Sequence, residues 1–177
     1  QALFAHADGA AVLASDTWRL VTPAGEVRLL PGIPRRRFSA LCVGPGAHLW
    51  ACIADGERWR VAELSDEGRS IGGWRLPEPA TAMAWDAAGQ TLHIAAAGSG
   101  TLYSARVGSA ALRRLATVPK GSGHLSGLAV DQRGGVWSAL RGGWSVARFE
   151  ADGSLDRVVA LPVPCPTAVG FGGAGGE

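Results

Sequence analysis

The stretch Gly121-Ser-Gly-His124-Leu-Ser126-Gly127 puts a nucleophile type and a base type two residues apart. A serine hydroxyl activated by a nearby imidazole, with a third group orienting the ring, is the arrangement for acyl transfer. Two features of the sequence weigh against it. Residues i and i+2 that leave a loop and enter a strand seldom converge, and Ser126 lacks the G-x-S-x-G turn that exposes a nucleophile at the top of a sheet. Ser126 and His124 are therefore candidate catalytic residues whose alternative role is to line a pocket. The other histidines, His6, His48 and His93, form no H-x-H or H-x-x-x-H pair for a metal, and ordinary structural roles are expected of them. Glu78, just before Pro79, is a loop carboxylate that could ligate a cation but reads more simply as solvated. The three cysteines show no C-x-x-C spacing. Cys42 and Cys52 lie on two strands of one expected hairpin, yet their apolar surroundings suit free thiols and a reducing cytoplasm.

The elements that must position these residues are visible as a repeat. An apolar run, a small or acidic turn, a glycine and an aliphatic-aromatic run recur around Asp8-Gly9, Gly46, Gly89 and Gly134, at spacings of 37, 43 and 45 residues. A second ladder of turns at Gly25, Gly68 and Gly153 has the same period, with gaps of 43 and 85 residues. Segments such as Trp18 to Thr22, Trp59 to Ala62 and Val146 to Phe149 alternate apolar and polar residues as half-buried strands do. No helical periodicity is sustained, because Gly or Pro interrupts nearly every dozen residues. A period near 40 with strand-length pieces predicts a β-propeller, each repeat one four-stranded blade.

Composition excludes several classes. With 47% hydrophobic residues and a net charge of only +2, the chain is globular, and it has no electrostatic footprint for nucleic acid. Its one basic run, Arg35-Arg36-Arg37, reads as a solvated loop between blades. No apolar stretch approaches the ~20 residues that span a bilayer, so no membrane association is expected. No signal peptide is legible in a chain that begins at Gln1.

The segment from Leu125 to Phe149, with Leu-Ala-Val-Asp131 and Gly-Gly-Val-Trp137-Ser-Ala, and Leu161-Pro-Val-Pro-Cys165-Pro-Thr167 with Phe171-Gly-Gly173, resembles the late blades of the senescence marker protein (regucalcin), gluconolactonase and luciferin-regenerating enzyme family. Arg37-Phe38-Ser39-Ala40 through Trp50 resembles that family's R-F-N-D-G…L-W, and Thr81-Ala-Met-Ala-Trp85 resembles its N-G-L-A-W. The resemblance implies an all-β, six-bladed propeller with about four to five blades in this chain. The approximate blades are 1–36, 37–79, 80–122 and 123–164, with the last one starting at 165–177. It also implies a divalent cation such as calcium at the channel mouth, polarising a lactone carbonyl and activating water.

At the implied ligand positions this sequence departs from the family. Ser39 and Ala40 replace Asn and Asp, Thr81 replaces Asn, Ser126 replaces the Asp of P-D-G, and the early Glu has no counterpart. Neutral hydroxyls bring no countercharge, so no metal cofactor is expected, and the fold would be inherited without the chemistry. The implied pocket is lined by Arg37, Ser39, Thr81 and Ser126. Trp144, in an expected turn, is a further candidate for ligand contact. A small-molecule or protein binding module that has lost lactonase activity is the expected function; the alternative is a lactone or ester hydrolase with a rearranged site. Six blades need about 250 residues, against 177 here. A missing segment or another chain is therefore expected to complete the ring, since open sheet edges invite pairing.

Overall fold

The computed structural model describes residues 2–6, 9–14, 17–21, 24–29, 37–65 and 69–172. Asp8, Arg35, Arg36, Gly68 and Gly173, on which parts of the sequence reading drew, lie outside them. The described residues form four four-stranded antiparallel sheets, each a meander in chain order. The first holds β1 (Ala2–His6), β2 (Gly9–Ala14), β3 (Thr17–Val21) and β4 (Val27–Leu29). The second holds β5 (Phe38–Val43), β6 (Leu49–Asp55), β7 (Arg58–Leu64) and β8 (Ser70–Leu76). The third is β9 (Ala82–Trp85), β10 (Thr91–Ala96), β11 (Thr101–Arg106) and β12 (Leu112–Thr117). The fourth is β13 (His124–Val130), β14 (Val136–Arg141), β15 (Ser145–Phe149) and β16 (Leu155–Ala160). A 3-10 turn at Pro45–Ala47 is the one helical element among the described residues, and no helix there is long and apolar enough to cross a membrane. The class is all-β and the architecture that of a β-propeller.

The chain divides into two compact units, 1–77 and 78–177. In the first, β5 to β8 bury Ala51, Ile53, Ala62 and Leu64. Trp50 stacks on Trp74, centroids 5.6 Å apart, so this ring packs two strands away within its own sheet. In the second, the core comprises Ala95, Leu102, Leu115, Val118, Leu125, Val136, Leu140, Ala147 and Phe149, drawn from both of its sheets. Its middle strands β10 and β14 are almost wholly buried and correspondingly apolar, while β16 is exposed along its whole length. Removing apolar surface from water at about 25 cal/mol per Å² makes such middle strands the main source of stability.

The turn chemistry explains the glycine ladder. Asp86 opens the β9–β10 turn: its carbonyl accepts the Gly89 N–H at 3.0 Å and its Oδ1 the Gln90 N–H at 2.7 Å. Asp131 repeats this between β13 and β14, its carbonyl taking Gly134 N–H at 2.9 Å and its Oδ1 taking Gly135 N–H at 2.8 Å. The glycine three residues on has φ of +65° or +81°, which a side chain disfavours.

Candidate functional site

Each position at which the sequence departs from its resemblance lies at the beginning of a sheet's first strand. In the first unit, Arg37 and Ser39 are exposed, and Ser39 falls within the register irregularity between Phe38 and Ala40. Arg37 contributes its carbonyl, which accepts the Ala54 N–H at 2.8 Å.

In the second unit, Thr81 directly precedes β9. Its N–H donates to Ala95 O at 2.7 Å, and its Oγ1 lies 3.2 Å from Ala95 O and 3.1 Å from Leu125 O. A hydroxyl has one proton, so Thr81 shares it between carbonyls of β10 and β13 and ties the starts of β9 and β13 together. Ser126 occupies the bulge of β13, where the register with β14 shifts between Leu125 and Leu128. Its Oγ donates to Thr167 O at 3.1 Å, and the neighbouring Gly127 N–H donates to the same carbonyl at 2.9 Å. Gly127 must lack a side chain there: a Cβ would stand 2.5 Å from Ala168 Cα. The segment after β16 therefore crosses β13 at Ser126, and Phe171 meets Trp137 edge to face with centroids 6.2 Å apart.

His124, two residues earlier, is exposed and lines a cleft of about 480 Å³ with Lys120, Arg141, the Ala97–Gly100 turn and Gly121. Ser126 is not among the lining residues, and its proton is engaged by Thr167. The structure thus places the two members of the candidate nucleophilic pair in different surroundings. Trp144 follows Arg141-Gly142-Gly143 in the β14–β15 turn. It is 53% exposed and has φ of +54°, the one described residue other than glycine in that region. Glu78 is not a free loop carboxylate, since its Oε2 accepts the Ser99 N–H at 2.9 Å and braces the β10–β11 turn.

The divalent cation implied by the resemblance needs several oxygens and a compensating charge. Thr81 and Ser126 offer neutral hydroxyls already engaged with main-chain carbonyls, and the described residues contain no group of three or more His, Cys, Asp or Glu able to hold a metal. These residues do not fit a divalent cation.

Sequence reading missed the strongest electrostatic feature of this unit. Arg148, its side chain 8% exposed, donates from Nε to Asp131 Oδ2 at 2.7 Å and from Nη1 to Asp156 Oδ2 at 3.1 Å, and also pairs with Glu150. Trp137 Nε1 donates to the same Asp131 oxygen at 2.9 Å. Burial alone would push the Asp131 carboxyl up, but hydrogen bonds from Arg148, Trp137 and the N–H groups of Gly135 and Arg133 outweigh it and hold it far below the usual carboxylate range. Asp131 and Arg148 are 17 residues apart, and only the pairing of β14 with β13 and β15 brings them together.

Residues 80–177, more than half of the chain, match the SMP-30/Gluconolactonase/LRE-like region. The chain belongs to this family. The search of curated proteins found no match to the chain. Its fold is similar to that of luciferin-regenerating enzyme, at 16% identity over 97% of this chain and 66% of that one, with a TM-score of 0.80. It is similar also to a calcium-binding protein, regucalcin, from Agrobacterium tumefaciens, at 16% identity over 95% of this chain and 62% of that one, TM-score 0.76. A gluconolactonase from Xanthomonas campestris gives 21% identity over 97% of this chain and 65% of that one, TM-score 0.77. At such identities the likeness shows the fold. The chain spans just under two thirds of the length of each of these proteins.

Proposed function

We propose that this member of the SMP-30/gluconolactonase family is a small-molecule binding module without metal-dependent lactonase activity. The observation that carries the reading is the engagement of Thr81 and Ser126: at two positions where the family resemblance implies cation ligands, each hydroxyl ties main chain to main chain instead. Lewis-acid catalysis of lactone opening requires a cation held by charged, oriented oxygen ligands. A hydroxyl spent on a main-chain carbonyl in this way holds neighbouring segments together and supplies no charge to a cation. That Cys42, Cys52 and Cys165 are thiols rather than disulfide partners supports a reducing, cytoplasmic setting for this module.

The test is hydrolysis of aldonolactones by the 177-residue chain, followed by proton release with calcium, zinc or manganese present. The expected rate equals the uncatalysed background in all three cases, and Ser126→Asp alone leaves it there. One carboxylate supplies neither the coordination number nor the orientation of a full ligand set. Turnover that depends on added metal would establish the rival reading, a hydrolase with a rearranged site.

A further inference from the structure

The cleft lined by His124 stands apart electrostatically from the rest of its unit. Lys120 from the β12–β13 linker, His124 from the start of β13 and Arg141 from the end of β14 converge on its 480 Å³. All three side chains are exposed, and none is engaged by a partner among the described residues. Their backbone is held firmly. His124 and Arg141 are register partners, and Gly123 packs so closely on the β14–β15 turn that a Cβ would lie 2.8 Å from Gly143 Cα.

The placement of carboxylates sharpens this. Because the meanders run antiparallel and Thr81 ties the starts of β9 and β13, the β10–β11 turn, the β12–β13 linker and the β14–β15 turn share one end of the unit. The acidic residues between 78 and 172 are Glu78, Asp86, Asp131, Glu150, Asp152 and Asp156. All but Glu78 lie in or next to turns at the opposite end, where Asp131, Glu150 and Asp156 are paired with Arg148. Glu78 is tied down by the Ser99 N–H behind the cleft wall. The cleft therefore presents two fixed cations and an imidazole with little countercharge, and concave walls focus such a field.

We infer that the cleft between Lys120, His124 and Arg141 binds the carboxylate or phosphate group of a small anionic ligand. The guanidinium supplies a two-pronged donor, the ammonium a point charge, and the imidazole a directional N–H. This deepens the binding-module reading and rests on it.

Calorimetric titration of the 177-residue chain with inorganic phosphate, gluconate and glucose tests the inference and separates the two anion chemistries. Phosphate, gluconate or both are expected to bind, and neutral glucose, similar in size to gluconate, is not. Arg141→Gln and Lys120→Gln should each weaken anion binding at least tenfold without changing Tm, Arg141→Lys should restore part of it, and added salt should weaken it. Equal binding of gluconate and glucose, anion binding indifferent to both substitutions, or no anion binding at all would overturn the inference. The first of these outcomes leaves the binding-module proposal standing. Metal-dependent lactone turnover alongside cation-dependent anion binding would do the reverse.

Discussion

Trp144 carries a local cost that nothing in its own turn repays. A bulky side chain at φ of +54° is disfavoured by about 1–2 kcal/mol relative to the right-handed region, and half of its surface remains in water. Its main chain serves the fold, since Trp144 O accepts the Leu161 N–H at 2.7 Å, and any residue would provide that bond. Trp144→Gly is accordingly expected to raise stability by about 1 kcal/mol, read as an increase in the urea midpoint at unchanged slope. A lowered midpoint would mean that the indole is held by packing. Trp144 closes the turn that follows Arg141.

At the scale of elements, the turn chemistry was legible in the sequence because it is local. Gly89 and Gly134 end Asp-initiated turns within four residues, and Trp59 to Ala62 and Val146 to Phe149 lie in β7 and β15 as their alternation predicts. The crossing of Thr167 over Ser126 and the Asp131–Arg148 pairing were not legible, because both depend on which strands become neighbours. These buried charges also govern acid stability. The folded Asp131 carboxyl stays ionised where the unfolded one takes up a proton near ~3.9. Its contribution is thus present above about pH 4 and lost as acid approaches the lower folded value. Arg148→Ala, which takes the guanidinium from Asp131 but leaves it the Trp137, Arg133 and Gly135 donors and leaves Asp156 its Arg157, should cost about 1.5–3 kcal/mol at neutral pH, measured by denaturant unfolding; a loss below about 1 kcal/mol would show the cluster to be solvated surface. His93 produces an earlier loss. Burial, only partly offset by Asp86, lowers its affinity for a proton, and its Nδ1 has no partner among the described residues. The unfolded imidazole protonates near ~6.5 while the folded one resists, so stability should begin to decline below that pH. A flat profile between pH 7 and 5 would contradict the burial of His93.

Across the molecule, the family's scaffold persists, and the loss of its implied chemistry is our proposal. Membership is carried by residues 80–177, and the same residues contain Thr81 and Ser126, hydroxyls bound to carbonyls where the resemblance implies an amide and a carboxylate. Among the described residues of the second unit every carboxylate but Glu78 lies at the end opposite Lys120 and Arg141. The motif resemblance exposed the substitutions at the implied ligand positions, because each occupies one position of a short motif. It could not show what the replacement hydroxyls do, since their partners, Leu125 O and Thr167 O, are main-chain atoms supplied by the fold. The central claim is that this chain does not hold the divalent cation of its family. Calorimetric titration with calcium, with Tm followed at millimolar calcium, tests it most directly. A cation bound to the native state at a hundred times its Kd would stabilise by about 2.7 kcal/mol, a shift of several degrees. The expected result is no saturable heat and no change in Tm; a stoichiometric isotherm with a rise in Tm that chelator abolishes would contradict it.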